Sequence, residues 1–357
     1  MFSEILKDKK TAFLITDEKE RAYFSGVQIA EGYLLLCESP AYFTDARYIE
    51  ALKEKLKAAK SREASQKKHI LPVLFKDVKD LGEYLKALSV KRLYINFDKT
   101  TVTEYNAYKS LGLKISDGAE QINKLRSVKS EEEINNIKKA CEITEKAFYK
   151  LIKDIKVGVT EKQLKDKLLS YYEMLGSSGE SFDTIVAFGK NSAVPHHETG
   201  NDVLTKDTVV LIDTGCVYNG YCSDCTRTLF FGNPPEKFIN AYTAVQKANV
   251  EAEEKISAGM NTDEADAISR KVLGEFGLEE YFTHSLGHGL GLEIHEFPYL
   301  SKRRKDRLEE NMAFTIEPGV YFEGEFGIRI EDTVLIQNGK IKRLFGDDKN
   351  LIVIKSS

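Results

Sequence analysis

Two acidic residues lie close together on a short hairpin in the second half of the chain. Asp213 ends an apolar strand, Asn219-Gly220 is a strong signal for a tight turn, and Asp224 lies in the returning segment. A two-residue loop places Asp213 opposite Thr226, so Asp213 and Asp224 become diagonal neighbours on one face. Two adjacent carboxylates repel each other unless a positive charge lies between them. The hairpin therefore predicts a cation site.

A second pair of acidic residues, Glu317 and Glu331, ends two later apolar segments. A three-residue loop at Glu323–Glu325 would set the two glutamates opposite each other, whereas a two-residue loop would put them on opposite faces. The sequence leaves this pairing open. The simplest alternative is that each glutamate is an exposed acid at a strand end, but the repetition of the feature on two hairpins favours a shared site.

Five of the six histidines lie between residues 196 and 295, whereas His69 stands apart. His284 and His288 have the spacing of a helical zinc pair, but three glycines in the same segment argue against a helix. Glycines at alternate positions favour an extended backbone that another group approaches closely. The segment alone does not separate metal ligands from structural histidines, although the clustering places the chemistry in the C-terminal part.

Charge counting connects these segments. Four carboxylates balance two divalent cations, and four ionised carboxylates in an empty buried site would be strongly unfavourable. Oxygen ligands with one imidazole suit manganese, cobalt, iron or zinc. Two such ions can generate a nucleophile from water at neutral pH. The expected chemistry is therefore metal-assisted hydrolysis.

The composition excludes several other classes of protein. The chain has 357 residues, which suits two domains, and a formal net charge of −4, which does not favour nucleic-acid binding. No apolar run approaches the roughly 20 residues of a transmembrane helix, and the polar start lacks a signal-peptide core. We therefore expect a cytoplasmic protein that binds neither membranes nor nucleic acid. The five scattered cysteines fit reduced thiols, with Cys222 and Cys225 as packing residues.

Sequence patterns predict two differently built regions. The first part alternates short strands with helices, which indicates a small α/β domain; the predicted segments are strands 11–16, 32–37 and 92–97 and helices 47–60 and 101–111. Ser130 with Glu133, and Thr160 with Gln163, are capping signals that start two helices. Further helices are predicted near 235–258 and 263–276, among strands and hairpins. The basic run 302–305 is expected to be a solvated loop.

These segments, in this order, resemble the pita-bread metallopeptidases, and within them the Xaa-Pro aminopeptidase and prolidase group. The N-terminal part resembles that family's creatinase-like domain at Tyr23-Phe24-Ser25-Gly26 and at 44–48. The resemblance implies an α+β fold with a small creatinase-like α/β domain, 1–124, and a pita-bread catalytic domain, 125–357. It also implies a homodimer and peptide substrates with proline at the second position.

The resemblance further assigns roles to single residues. It implies two divalent metal ions, with manganese expected and cobalt, zinc or iron as alternatives, held by Asp213, Asp224, His288, Glu317 and Glu331. It implies catalytic roles for His196, His295 and Glu317. It implies substrate contacts for His196, His284, Tyr321 and Arg329, and a supporting hydroxyl at Thr226. His197 matches no role.

One difference from the family bears on the substrate. Many prolidases carry arginine directly after the proline of the His-Glu-x-Pro segment, where it can pair with a dipeptide's carboxylate, but this chain has Tyr299 after Pro298. A phenol lacks the charged bidentate fork of a guanidinium. The main prediction is therefore an Xaa-Pro aminopeptidase that accepts longer peptides, and the alternative is a prolidase acting on Xaa-Pro dipeptides. The basic loop 302–305 is near enough in sequence to compensate.

Three other functions are compatible with the same fold. A non-catalytic binding protein or a metal-free amidinohydrolase of the creatinase type should lack several of the ligand carboxylates, whereas this chain keeps all five ligand candidates. A methionine aminopeptidase usually lacks the whole N-terminal domain. Metal analysis of the purified protein separates the first two from a peptidase.

Overall fold

The computed structural model describes residues 6, 8–58, 70–346 and 348–355, and the chain divides into two compact units, Met1–Leu125 and Arg126–Ser357. In the described part of the first unit, six strands form one mixed sheet. These strands are β1 Thr11–Ile15, β2 Tyr33–Leu36, β3 Ala41–Thr44, β4 Leu71–Leu74, β5 Arg92–Ile95 and β6 Lys114–Asp117. Their order across the sheet is β4-β3-β2-β1-β5-β6.

Five helices accompany this sheet in the described residues. They are α1 Glu18–Ser25, α2 Ile49–Ala58, α3 Val78–Ala87, α4 Val102–Lys109 and α5 Ala119–Ser127. Helix α4 begins where the Thr101 hydroxyl accepts the backbone N–H of Glu104 and the Glu104 carboxylate returns to Thr101. All five residues of β1 are buried, so this strand lies at the centre of the core. The alternation of strands and helices agrees with the sequence prediction. The last two residues of the helix predicted at 47–60, and His69, lie outside the described residues.

Most strands of the second unit belong to one large sheet. The strands of this unit are β7 Ile185–Phe188, β8 Thr208–Thr214, β9 Val217–Tyr218, β10 Tyr221–Cys222, β11 Cys225–Phe231, β12 Gly287–Gly289, β13 Glu296–Leu300, β14 Ala313–Ile316, β15 Gly319–Phe322, β16 Phe326–Arg329, β17 Glu331–Gln337, β18 Lys340–Arg343 and β19 Val353–Ile354. The order in the large sheet is β13-β12-β14-β17-β11-β8-β7, with β18 beside β17 and β19 beside β11. β9–β10 and β15–β16 form separate hairpins.

Four helices cover this sheet in the described part of the unit: α6 Glu131–Leu151, α7 Glu161–Met174, α8 Glu236–Lys255 and α9 Thr262–Glu275. The capping boxes predicted at Ser130 and Thr160 are both present, with Glu133 and Gln163 as the reciprocal partners. Helices α6 and α7 pack on the sheet through one hydrophobic cluster, and α8 and α9 pack through another.

Two smaller predictions, on the cysteines and on the basic loop, also agree with the structure. The five cysteines are buried thiols, with Cys222 in β10 and Cys225 in β11. Residues 302–305 form an exposed loop. Among the described residues, none of the helices is both long and apolar enough to span a lipid bilayer.

Candidate metal centre

A single row of cross-strand partners carries most of the predicted acidic ligands. Asp213 in β8 lies opposite Thr226 in β11, as the Asn219-Gly220 turn predicted, and Thr226 lies opposite Glu331 in β17. Side chains of directly opposite residues point to the same face of a sheet. The side chains of Asp213 and Glu331 therefore emerge on one face, on either side of the Thr226 hydroxyl, which donates to Glu331 Oε2 over 2.5 Å.

The register of the next strands brings Glu317 to the same row. β14 and β17 pair with Ile316 opposite Asp332, and the β15–β16 hairpin continues the same register across a three-residue loop, 323–325. Glu317 and Glu331 lie between these two ladders and are aligned with each other. Of the two loop lengths that the sequence left open, the three-residue loop is the one present.

Alternate glycines place His288 against the neighbouring strands. A Cβ atom on Gly287 would lie 2.0 Å from the carbonyl oxygen of Thr315, and one on Gly289 would lie 2.4 Å from that of Phe297. Any side chain at either position would push the strands apart. The segment around His288 is therefore extended and closely approached by neighbouring backbone, as the sequence predicted. This geometry excludes a helical zinc pair of His284 and His288.

The imidazole of His288 faces the acidic residues through Nε2. Its backbone N–H donates to Thr315 Oγ1 over 3.0 Å, and its Nδ1 lies 3.2 Å from the carbonyl oxygen of Gly289, to which it must donate. Nε2 then keeps its lone pair, and it lies 3.4 Å from Glu317 Oε1 and 3.6 Å from Asp224 Oδ2. The Nε2 lone pair is therefore available to a metal ion.

The donor set fits a divalent cation. In the part of the chain that the structure describes, Asp224, His288 and Glu331 form a group whose ligand atoms lie within 4.8 Å of one another. Asp213 Oδ1 and Asp224 Oδ1 are buried without a hydrogen-bond partner. Buried carboxylate oxygens that lack donors need a cation, because their desolvation is otherwise uncompensated.

Electrostatic shifts also place the four carboxylates together. Burial, followed by the charges of Glu331, Asp213 and Glu317, raises the pKa of Asp224 well above its usual range. Burial likewise raises the pKa of Glu331, with Glu317 and Asp213 adding to it. The pKa of Glu317 rises to about 8, chiefly through burial. Burial lowers the pKa of His288 to about 3, so its imidazole is neutral at pH 7. Without a cation, Asp224, Glu317 and Glu331 therefore favour their protonated forms.

Three of the residues predicted to contact substrate form one hydrogen-bonded chain. Arg329 Nη2 lies 2.6 Å from Asp213 Oδ2, and Arg329 Nη1 donates to the Tyr321 hydroxyl over 2.6 Å. The Nδ1 of His284 faces the carbonyl oxygen of Ser285 at 2.8 Å, so its Nε2 accepts from the Tyr321 hydroxyl at 2.8 Å. Burial lowers the pKa of His284 to about 3. The chain fixes the orientation of a neutral imidazole whose Nδ1 lies 3.9 Å from Glu317 Oε2.

The two remaining predicted residues, His196 and His295, lie at the exposed edge of the centre. The ring centroids of His295 and His288 are 4.2 Å apart in an edge-to-face arrangement. Arg329 Nη1 also lies 3.4 Å from the carbonyl oxygen of Pro195, which holds the segment of His196 at the site. Burial, with a contribution from His196, lowers the pKa of His295. Both histidines are therefore accessible to a substrate, and their catalytic roles stay predictions.

His197, which matches no predicted role, anchors this segment. Its Nε2 lies 2.9 Å from a carboxylate oxygen of Glu161, which is fully buried at the start of α7. Glu161 also accepts the backbone N–H groups of Phe188 and Gly200, over 2.8 and 2.9 Å. His197 thereby fixes the loop that presents His196. Sequence alone could not pair residues 36 positions apart.

Comparison with known proteins agrees with this geometry. Residues 135–338 match the model of metallopeptidase family M24, and residues 3–128 match the creatinase/prolidase N-terminal domain. The chain is 38% identical over 335 residues to a Pyrococcus furiosus protein named Xaa-Pro dipeptidase, covering 92% of each chain.

Solved structures give the same result. A structure described as an Xaa-Pro dipeptidase from Bacillus anthracis has a TM-score of 0.90 at 32% identity, covering 98% of this chain and 97% of the other. One described as an X-Pro aminopeptidase from Thermotoga maritima has a TM-score of 0.87 at 32% identity, covering 99% and 98%. The fold and site define a metal-dependent hydrolase of the pita-bread class. The chain belongs to metallopeptidase family M24, with a creatinase-type N-terminal domain, which confirms the predicted family and fold class.

Proposed function

We propose that the protein is a metal-dependent Xaa-Pro dipeptidase, which hydrolyses the bond between a first residue and a following proline. The convergence of Asp224, His288 and Glu331 within 4.8 Å carries the metal-dependent part of the proposal. The sequence similarity to a protein named Xaa-Pro dipeptidase supports the proposed class of substrate, Xaa-Pro dipeptides. The proposal places the catalytic domain at 125–357 and the creatinase-like domain at 1–124, in a cytoplasmic homodimer.

We propose two divalent cations per chain, with manganese first and cobalt, zinc or iron as alternatives. The proposed ligands are the five predicted side chains, Asp213, Asp224, His288, Glu317 and Glu331. Two carboxylate oxygens that are buried without donors, on Asp213 and Asp224, support this assignment. When bound, such cations act as Lewis acids and make water a nucleophile at neutral pH.

The chain's own residues have separate tasks in this proposal. Glu317 takes a proton from the attacking water and passes it toward the leaving proline nitrogen. His295 donates a hydrogen bond to the charge that develops on the carbonyl oxygen. His284, held by Tyr321 and Arg329, contacts the proline side together with His196.

The selection of proline follows from the chemistry of its peptide bond. The prolyl amide has no N–H group, so a site built for it need not offer an acceptor at that position. An ordinary peptide would then bury an unpaired donor, at a cost of about 1–3 kcal/mol, or roughly ten- to a hundredfold in rate.

The choice between dipeptides and longer peptides depends on the surroundings of Tyr299. In the sequence, the presence of Tyr299 instead of arginine favoured an aminopeptidase. The similarity to a relative named Xaa-Pro dipeptidase instead supports the alternative, a prolidase acting on dipeptides. Tyr299 pairs with His288 across two strands, and the guanidinium carbon of Arg304 lies 5.6 Å from its ring centroid. The exposed loop 302–305 thus places the guanidinium of Arg304 beside Tyr299, at the position where many prolidases carry an arginine. The likeness to an X-Pro aminopeptidase structure keeps the aminopeptidase as the second candidate.

A panel of matched peptides tests the proposal. With manganese added, kcat/KM is measured for Xaa-Pro, Xaa-Pro amide, Xaa-Pro-Yaa and Xaa-Ala-Yaa peptides that share one first residue. We expect the Xaa-Pro dipeptide to be the best substrate and the alanine peptide the worst. Preference for Xaa-Pro-Yaa would make the protein an aminopeptidase. Equal cleavage of the alanine peptide would contradict the role of proline.

Substitution of Arg304 separates the dipeptide argument from the rest. Arg304→Gln should lower kcat/KM for the free Xaa-Pro dipeptide and leave that for its amide unchanged. Arg303→Gln, in the same exposed loop, is the matched control. An equal loss for both substrates would show that Arg304 does not recognise the carboxylate.

A further inference from the structure

One buried amide joins the two backbone segments that end in glutamate ligand candidates. Asn249, fully buried in α8, donates through Nδ2 to the carbonyl oxygen of Ile316 over 2.8 Å and to that of Ile330 over 3.0 Å. Ile316 and Ile330 directly precede Glu317 and Glu331. The regular ladder between β14 and β17 ends at Ile316, so Asn249 bridges the two segments just where the ladder stops.

Lys349, near the C-terminal end, fixes the orientation of this amide. Lys349 is only 2% exposed, and its ammonium group contacts Asn249 Oδ1. A lysine can only donate and backbone carbonyls can only accept, so the amide oxygen must face Lys349 and the amide nitrogen must face the strands. Lys349 Nζ also lies 2.8 Å from Asp332 Oδ2 and 2.7 Å from Glu253 Oε1.

The backbone of Lys349 is held in place by the same helix. Its carbonyl oxygen accepts from the Tyr242 hydroxyl over 3.1 Å and from Gln246 Nε2 over 2.9 Å. Tyr242, Gln246 and Asn249 all belong to α8. The helix therefore fixes Lys349, Lys349 fixes the amide, and the amide holds the two carbonyls. Each contact involves a group that the metal centre itself does not use.

We propose that Asn249 is a positioning residue of the metal centre, oriented by Lys349, and that it sets the spacing of Glu317 and Glu331. It acts from behind the sheet, through the backbone, and touches neither substrate nor metal. Loss of its two donors should let the segments separate, which weakens metal binding before it weakens folding. The inference depends on the metal-binding part of the proposed function.

Metal titration of the chelator-treated full chain tests this proposal. Asn249→Asp keeps the shape but places an oxygen against two carbonyl oxygens. We expect manganese to bind at least about tenfold more weakly by calorimetry, in line with the 10–100-fold effect of groups that orient metal ligands. The visible absorption of the cobalt-loaded variant should also change, which measures the geometry of the site independently of activity.

Asn240→Asp is the matched control, because it makes the same substitution at an exposed position of the same helix. It should leave the manganese Kd within about twofold, well short of the effect of an orienting group. Asn249→Ser keeps one donor and should give an intermediate loss if Asn249→Asp does not fold. An unchanged Kd and cobalt spectrum in a folded Asn249 variant would overturn the inference. Absence of metal binding in the unaltered protein would overturn the proposed function as well.

Discussion

Glu331 and Asp332 are adjacent in β17, yet their surroundings are opposite. Asp332 points toward Arg227, whose Nη2 lies 2.7 Å away, and toward Lys349 at 2.8 Å. Burial opposes its ionisation, but these two cations outweigh burial and hold its pKa at about 2. Glu331 points to the other face, where burial and the carboxylates of Glu317 and Asp213 raise its pKa.

The contrast shows which property marks a candidate ligand. Both carboxylates are buried, Glu331 to 2% exposure and Asp332 to 0%, so burial does not separate them. The difference is the compensating charge. Arg227 and Lys349 pair with Asp332, whereas among the described residues Arg329 is the one cation paired with the four carboxylates of the centre, Glu331 included. A buried acid whose charge the fold leaves unbalanced requires a cation from solution.

The largest effect is expected on catalysis, through the metal centre that contains Glu331. Dialysis against a chelator should abolish hydrolysis of Xaa-Pro peptides, and manganese should restore it. Glu331→Gln should lower metal content and kcat/KM together by more than about a hundredfold, above the loss caused by an outer-shell partner. Metal analysis and steady-state kinetics check both results. Full activity in verified metal-free protein would remove the basis of the comparison.

Substitution of Asp332, whose charge is compensated, should instead lower the stability of the fold. Asp332→Asn leaves Arg227 and Lys349 buried with less counter-charge, and it should lower the free energy of unfolding by about 3–5 kcal/mol. Urea denaturation of the metal-free proteins measures this change. Glu331→Gln is the control, and it should be neutral or stabilising because it relieves repulsion. If the two variants exchanged effects, our division of the strand would be wrong.

A third substitution tests whether proximity to the centre implies ligation. His295→Ala should leave the metal content unchanged while kcat falls about 10²–10³-fold, the usual cost of removing a group that stabilises developing charge. Elemental analysis beside kinetics distinguishes the two roles. Metal loss matching that of Glu331→Gln would make His295 a ligand instead.

The smallest effect is the pH dependence of the metal-free protein. The pKa of Glu317 is raised from 4.5 to about 8, so the folded state holds more protons than the unfolded state between these values. The contribution of Glu317 to stability is then fully present below about pH 4.5 and is lost as pH rises toward 8. We expect Tm to drop by several degrees, because about 1 kcal/mol shifts Tm by roughly 2–4 °C in domains of 150–250 residues.

Calorimetry across this range checks the sign. Manganese should remove the trend, since a bound cation replaces the protons. A Tm that rises with pH in the metal-free protein would show that the carboxylates of the centre are already balanced.

Features that depend on neighbouring residues were predictable from the sequence. Ser130 with Glu133 starts a helix because capping involves residues three positions apart. The Asn219-Gly220 turn fixed the partner of Asp213, because a two-residue loop sets the register of its own hairpin. The strand Ala41–Thr44 was not predicted. It is wholly buried, so its sequence shows no alternation of apolar and polar residues.

Family resemblance supplied the site residues, and the structure supplied their arrangement. Loop length between Glu317 and Glu331 was ambiguous in the sequence and was decided by the common register of two ladders. No local pattern links His197 to Glu161, or the guanidinium of Arg304 to Tyr299. These contacts depend on how the loops pack on the sheet.

The sequence by itself thus determined the two-part organisation, the caps, the hairpins and the identity of the acidic and imidazole groups. The tertiary structure decided which face each group occupies and which charges are compensated. Asn249 and Lys349 are 100 positions apart and form no motif, yet they meet behind the strands that end in Glu317 and Glu331. Short-range rules act within a few residues, whereas the balance of buried charge is set only when distant segments pack together.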